Sequence, residues 1–312
     1  MKVAPQTAAE FHGIYPMIYA FYDAQGRLDR AAMRRQIEAC VAGGVHGVAI
    51  LGIVTEFNKL DVNERRTVVE WTAEDLAGRL PLAVTINEHS VHGQLEMARL
   101  AAEVRADWLI LQPPAIRNIA EPALVSFFGK VADAATLPVA VQNNPMNLDV
   151  WLSNAGLLAL NRNHPNVSLL KGEGPIEYVR RLVEETGHVF RIFNGRGGLE
   201  LPNSVRLGCA GLIPAPECAD VMARVYDLMR SGEAEKIDAA ERLHAQLLPL
   251  LTYVMASPEH MLCYGKRLFA QRIGLAPVEP REPCIMPGPF GMDVLSRYGA
   301  VLPAWGADME KA

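Results

Sequence analysis

Eight short apolar runs alternate with helix-length amphipathic segments along most of this 312-residue chain, and that alternation limits the fold more than any other feature. The runs cover residues 14–20, 47–51, 81–86, 107–112, 138–142, 167–171, 190–194 and 210–214. Between them lie candidate helices over 29–41, 63–76, 91–104, 121–135, 150–161 and 176–185, with an eighth over 217–230. Runs that are mostly apolar throughout, not alternating with polar residues, belong to strands buried on both faces, as in parallel sheets covered by helices. Gly43-Gly44, Gly187 and Gly208 stand where helices return to strands, the usual place for a C-terminal glycine. Repeated strand–helix units of this kind predict an α/β fold, a (β/α)8 TIM barrel over residues 1–230. The competitor is an open doubly wound sheet. It would want Gly-x-Gly-x-x-Gly after the first strand, and none is present; Gly195-Arg196-Gly197-Gly198 lacks the Lys-Ser/Thr of a phosphate loop. Helical patterns continue over 233–256 and 258–273. A proline-rich stretch and a tail helix follow, so residues 231–312 read as a C-terminal helical extension.

Composition excludes several functions. A net charge of −5 without a basic tract gives no footprint for nucleic acid or an anionic membrane. Five scattered cysteines, with no Cys-x-x-Cys pair, argue against a disulfide framework or zinc site and for a reducing compartment. No signal-peptide pattern opens the sequence and no apolar stretch approaches about 18 residues, so a cytoplasmic protein is expected.

The chemistry is expected at the carboxyl ends of the strands. The sixth run, Val167-Ser168-Leu169-Leu170, ends in Lys171, and Glu173 follows. Residues two apart in extended chain share a face, so an amine and a carboxylate are directed into one cavity. A lysine so placed is a candidate imine-forming nucleophile, against the plainer reading of a solvated lysine at a strand end. Four other strand ends also carry polar or glycine-rich residues: Gly52-Ile53-Val54-Thr55-Glu56, Gln112-Pro113-Pro114, Gln142-Asn143-Asn144-Pro145 and Asn194-Gly195.

An ordered set of segments resembles the dihydrodipicolinate synthase and N-acetylneuraminate lyase family of Schiff-base enzymes. It runs from Gly13-Ile14-Tyr15-Pro16 through Glu64-Arg65, Leu137-Pro138, Asn143-Asn144-Pro145 and Pro165-Asn166 to Lys171, then to Gly195 and Gly208-Cys209-Ala210-Gly211-Leu212-Ile213. The resemblance implies that Lys171 forms the imine and that Gly195 and Ile213 present backbone to a bound 2-oxo acid. It implies no metal or organic cofactor, and a homotetramer. The departures matter equally. Where the family has Gly-Thr-Thr-Gly-Glu, this chain has Gly52-Ile53-Val54-Thr55-Glu56. The tyrosine before Asn-x-Pro is Gln142, and a second tyrosine is Ala115. The hydroxyl relay of the aldol-type members is absent, and Gln142 cannot lose a proton near neutral pH.

Gln142 before Asn-x-Pro, together with Lys-x-Glu, is similar to the 2-keto-3-deoxy-L-arabonate dehydratases. An iminium on Lys171 acidifies the C3 protons of a 2-keto-3-deoxy acid, and Glu173 is placed to take one and return it to the departing C4 hydroxyl. The expected activity is dehydration of a 2-keto-3-deoxy sugar acid, with Lys171, Glu173 and Gln142 as catalytic candidates. Thr55, Gly52, Asn143, Gly195 and Ile213 are the substrate-binding candidates, although Thr55 equally reads as a turn cap and Asn143 as a turn residue before Pro145. The alternatives are retro-aldol cleavage to pyruvate and an aldehyde, and a non-catalytic barrel that binds 2-oxo acids. His89 and His92 lack a third spaced ligand for a metal, Asn87 and His89 follow the third strand, and Arg196 is a candidate partner for a distal anionic group.

Overall fold

A computed structural model describes residues 10–146, 148–275 and 278–307. The strands are β1 Gly13–Ile14, β2 Val48–Ile50, β3 Leu82–Ile86, β4 Trp108–Leu111, β5 Val139–Asn143, β6 Val167–Gly172, β7 Arg191–Asn194 and β8 Gly211–Leu212. Their order is β1-β8-β7-β6-β5-β4-β3-β2, with every pair parallel. The chain beyond β1 closes the ring: Met17 bridges Ala49, and the Ala49 N–H donates to the Pro16 carbonyl at 3.0 Å. The expected (β/α)8 TIM barrel is therefore the observed architecture.

The first strand is shorter than its apolar run over 14–20. The segment bonds to both neighbours, with the Met17 N–H donating to Pro214 beyond β8 and the Ile14 and Pro16 carbonyls accepting from His46 and Ala49. Pro16 has no N–H to give, which leaves the regular ladder two residues long. Helices α1 Arg30–Ala42, α2 Val62–Leu76 and α3 Val91–Glu103 begin where their sequences predict, because Asp29, Asp61 and Ser90 accept the first free N–H groups. Then come α4 Glu121–Ala134, α5 Asn154–Asn163, α6 Ile176–Thr186, a six-residue α7 Leu201–Arg206, and α8 Ala219–Arg230. Helix α5 starts four residues later than the predicted 150, at the Ser153 cap, because Leu152 is tied back to β5 through Asn143.

Inside the barrel, Tyr15, Trp108 and Phe193 meet edge-on or tilted with ring centroids 5.2–5.5 Å apart, and Phe11 stacks on Trp108 at 5.8 Å. All four are buried, so the interior is filled with side chains rather than open.

The extension starts with α9 Ala234–Val254, which packs on α8. The helix predicted over 258–273 is interrupted: α10 Pro258–His260, a π turn over Met261–Gly265, then α11 Lys266–Arg272. The wider turn brings Gly265 against Tyr19, whose hydroxyl lies 2.6 Å from where a Cβ would stand. The tail helix is α12 Pro289–Gly299. Ala240, Leu247, Leu250 and Phe269 share one apolar cluster with the barrel, so the extension has no separate core. Among the described residues, no helix is long and apolar enough to cross a membrane.

Candidate active site

Strand β6 carries Lys171 one residue from its end, in register with Gln142 on β5 and Phe193 on β7. Register partners on parallel strands share a face, so the amine and the amide enter the barrel side by side, with the Phe193 ring of the aromatic cluster on the other flank. Lys171 is 7% exposed. The next inward residue, Glu173, places Oε2 3.6 Å from Lys171 Nζ. The shared face predicted from the two-residue spacing is thus realised as an ion pair.

Glu173 is held from several sides. Asn144 Nδ2 donates to Oε2 at 2.9 Å and Gln142 Nε2 approaches the same oxygen at 3.4 Å. The Arg196 N–H donates to Oε1 at 3.2 Å. Arg196 can aim that N–H because its φ is +52°, in the left-handed region. Gly195, beside it, is demanded by contact: a Cβ there would lie 2.3 Å from Glu173 Oε1. Behind Gln142, Gln112 at the end of β4 donates Nε2–H to Gln142 Oε1 at 2.8 Å. With its oxygen engaged, Gln142 turns its NH2 toward Glu173. The result is an amide relay of fixed direction, Gln112 to Gln142 to Glu173, ending on a carboxylate beside an amine.

Not all the sequence candidates join this cluster. The Thr55 hydroxyl is fully buried and donates to the Ile18 carbonyl at 2.7 Å, a bond to the chain beyond β1 and not to the turn that follows it. Gly52 lies against Met17, whose Sδ accepts its N–H at 3.1 Å. Asn143 exchanges two hydrogen bonds with the Leu152 backbone, at 2.8 and 2.9 Å, and contacts the Tyr178 hydroxyl at 3.1 Å. It ends β5 and fastens the loop that follows, nine residues on. The Ile213 N–H is taken by the Asn194 carbonyl at 2.8 Å, and the Gly195 N–H by Asn194 Oδ1 at 2.7 Å. Asn87 donates to the Leu51 carbonyl, while exposed His89 accepts from the Ala115 N–H. Gln112, Asn144 and the Arg196 backbone enter the cluster instead. Gln112 and Asn144 stood in strand-end motifs, but nothing in one sequence says which amide meets which across three strands.

The extension buttresses this wall. His244 on α9 bonds the Gly198 carbonyl at 2.8 Å, and Met255 Sδ fills the space where a Cβ of Gly197 would stand. Burial pushes the His244 imidazole below its ordinary value, toward the neutral form, while the Gly198 carbonyl opposes the shift.

Comparison with known proteins agrees with this architecture. The chain is 31% identical over 227 residues to a 4-hydroxy-tetrahydrodipicolinate synthase of Thermus thermophilus, covering 72% of this chain and 75% of that protein. It is 26% identical over 279 residues to the protein of that name from Methanopyrus kandleri, covering 88% and 90%. The crystal structure of the 4-hydroxy-tetrahydrodipicolinate synthase of Methylacidiphilum fumariolicum SolV superposes with a TM-score of 0.84 at 21% identity, covering 93% and 95%, a likeness of fold. The sequence profile of the dihydrodipicolinate synthetase family matches residues 10–287. The chain, a barrel with the lyase architecture, belongs to the dihydrodipicolinate synthetase family.

Proposed function

We propose that this protein forms an imine between Lys171 and a 2-oxo acid and dehydrates a 2-keto-3-deoxy sugar acid. The observation that carries the proposal is the Glu173 carboxylate 3.6 Å from Lys171 Nζ, at the end of an amide chain where synthases of this family are expected to carry tyrosine and threonine hydroxyls. Lys171 attacks C2 and the carbonyl oxygen leaves as water. The iminium then acts as electron sink for C3, two bonds from the nitrogen and within reach of Glu173. Glu173 takes a C3 proton, and the enamine expels the C4 hydroxyl, which leaves as water with the proton that Glu173 returns. The C3=C4 bond left behind is conjugated with the iminium; loss of a C5 proton and protonation at C3 turn it into a C4=C5 enol. Hydrolysis of the imine restores Lys171, and the enol settles as the aldehyde of the product. Gln142 and Asn144 keep one carboxylate oxygen directed at this path. The chemistry as proposed calls for no metal or organic cofactor, since the iminium supplies the electron sink. Gly52, Thr55 and Ile213 then act as wall and scaffold for the bound acid, and Arg196 stands at the rim for a distal anionic group. A homotetramer in the cytoplasm is part of the same reading.

The direct test has two parts. Borohydride with substrate or pyruvate should add mass irreversibly to the Lys171 peptide, and Lys171→Ala should abolish the addition. Glu173→Gln should still be trapped yet lose turnover about a hundredfold or more. A five-carbon 2-keto-3-deoxy acid should give 2-oxoglutarate semialdehyde. Pyruvate plus an aldehyde as the main products would make the protein an aldolase instead, and trapping without any turnover would make it a binder.

A further inference from the structure

Apart from the Lys171 cluster, a cavity of about 190 Å³ lies between the loop after β2, the π turn and the proline-rich segment. Neither Lys171, Glu173 nor Gln142 lines it. Its polar wall is a charge cluster that does not balance. Lys59 and Lys266, with side chains 9% and 2% exposed, share the single carboxylate of Glu56, each at 2.8 Å. Arg281 is matched by Glu64 outside the cavity. Arg267, also in the wall, donates to the Cys263 carbonyl and has no carboxylate partner among the described residues. Counting the exposed Glu259 at the rim, three cations face two carboxylates.

Arg267 is half-buried, but the two amines are buried with one carboxylate between them, Lys59 being completed by the Arg281 carbonyl at 2.9 Å. A second anion would offset the desolvation of the pair. Burial accordingly pushes the Lys266 amine below its ordinary value, while Glu56 opposes the shift. Glu56 itself is held at a φ of +57°, a conformation a glutamate adopts only when its surroundings impose it. The void has room for much more than one water, which needs only about 10–15 Å³ by a comparable measure. Apart from Asn58, its remaining wall is largely apolar, with Ile53, Leu262, Val278 and Ile285 among the residues there. Cations at one side and hydrocarbon at the other suit an amphipathic acid better than a bare inorganic ion.

We infer that this cavity is a binding site for a small organic carboxylate with a short apolar tail, its head group on Lys59 and Arg267 and its tail against the apolar wall. The inference is independent of the dehydration chemistry, because it uses none of the same side chains.

Titration calorimetry at low ionic strength tests it, with butanoate and inorganic phosphate as probes on the full chain and on its Lys171→Ala variant. Butanoate should bind both proteins alike, and phosphate more weakly. Lys59→Met and Arg267→Gln should each weaken butanoate about tenfold, the scale of one lost charge-assisted hydrogen bond. Borohydride trapping of pyruvate at Lys171 should proceed undiminished with butanoate present. Four results would overturn the inference: no heat up to about 10 mM probe, phosphate binding as tightly as butanoate, affinity unchanged in both folded variants, or butanoate suppressing the trapping, which would place it in the barrel mouth.

Discussion

Replacing Gly195 by alanine asks whether the position of the Glu173 carboxylate is what the site depends on. The new methyl carbon would stand 2.3 Å from Glu173 Oε1 and 2.4 Å from Cδ, so the carboxylate must leave. Gly195 has a φ of −120°, so the obstacle is contact and not a left-handed backbone. The Glu173 side chain is 15% exposed and can swing only outward, giving up the Arg196 N–H and the Asn144 amide. Two hydrogen bonds to a charged group, at about 1.5–3 kcal/mol each, bound the loss at about 3–6 kcal/mol. Water replaces part of both at the new position, so about 2 kcal/mol should appear in a urea melt. Catalysis should suffer more, because a base displaced by about an ångström from the carbon it deprotonates loses about a hundredfold in rate. Lys171 is not displaced, so borohydride trapping should persist. Turnover within about threefold of the parent, in a folded Gly195→Ala protein, would refute the role assigned to Glu173.

Gln112→Leu should leave trapping intact and lower turnover about tenfold, since Gln142 loses the donor that fixes its amide; an unchanged rate would show that the relay has no directing effect. The Arg281 guanidinium, helped by the Asp61 N–H and opposed by burial, holds the Glu64 carboxyl below the usual carboxylate value. The folded value therefore lies below the unfolded one of about 4.3. The pair's stabilisation, about 1–2 kcal/mol after screening, is present above that pH and is lost as pH falls through the folded value, so Glu64→Gln should flatten the acid limb of a stability–pH curve. Sedimentation at micromolar protein should show a homotetramer, and a monomer would remove the assembly from the proposal.

What the sequence shows of this fold follows from how locally each feature is specified. Buried parallel strands announce themselves as apolar runs, and Asp29, Asp61 and Ser90 mark helix starts because a cap bonds residues two or three positions on. Lys171 and Glu173 were legible for the same reason, being two residues apart across the end of one strand. Features set by distant residues were not. The break at Met261–Gly265 depends on Tyr19, more than 200 residues away, and β1 is bonded by backbone near residues 46–49 and 210–214, far along the chain. Thr55 and Gln112 are the sharpest contrast. Both sit at strand ends in chemistry-bearing patterns, yet the partner of each, Ile18 for one and Gln142 for the other, decides whether it braces the scaffold or joins the cluster.

The rings of Tyr15, Trp108 and Phe193 also govern traffic. They fill the barrel interior, so on the proposed reading an acid reaches Lys171, and leaves it, from the carboxyl ends of the strands. Whatever arrives must leave by the same end, and a departing water has to pass the bound chain or wait for it. A viscous solvent should therefore slow release before it slows any bond-breaking step, and that end, rather than the filled interior, is where a faster variant would be sought.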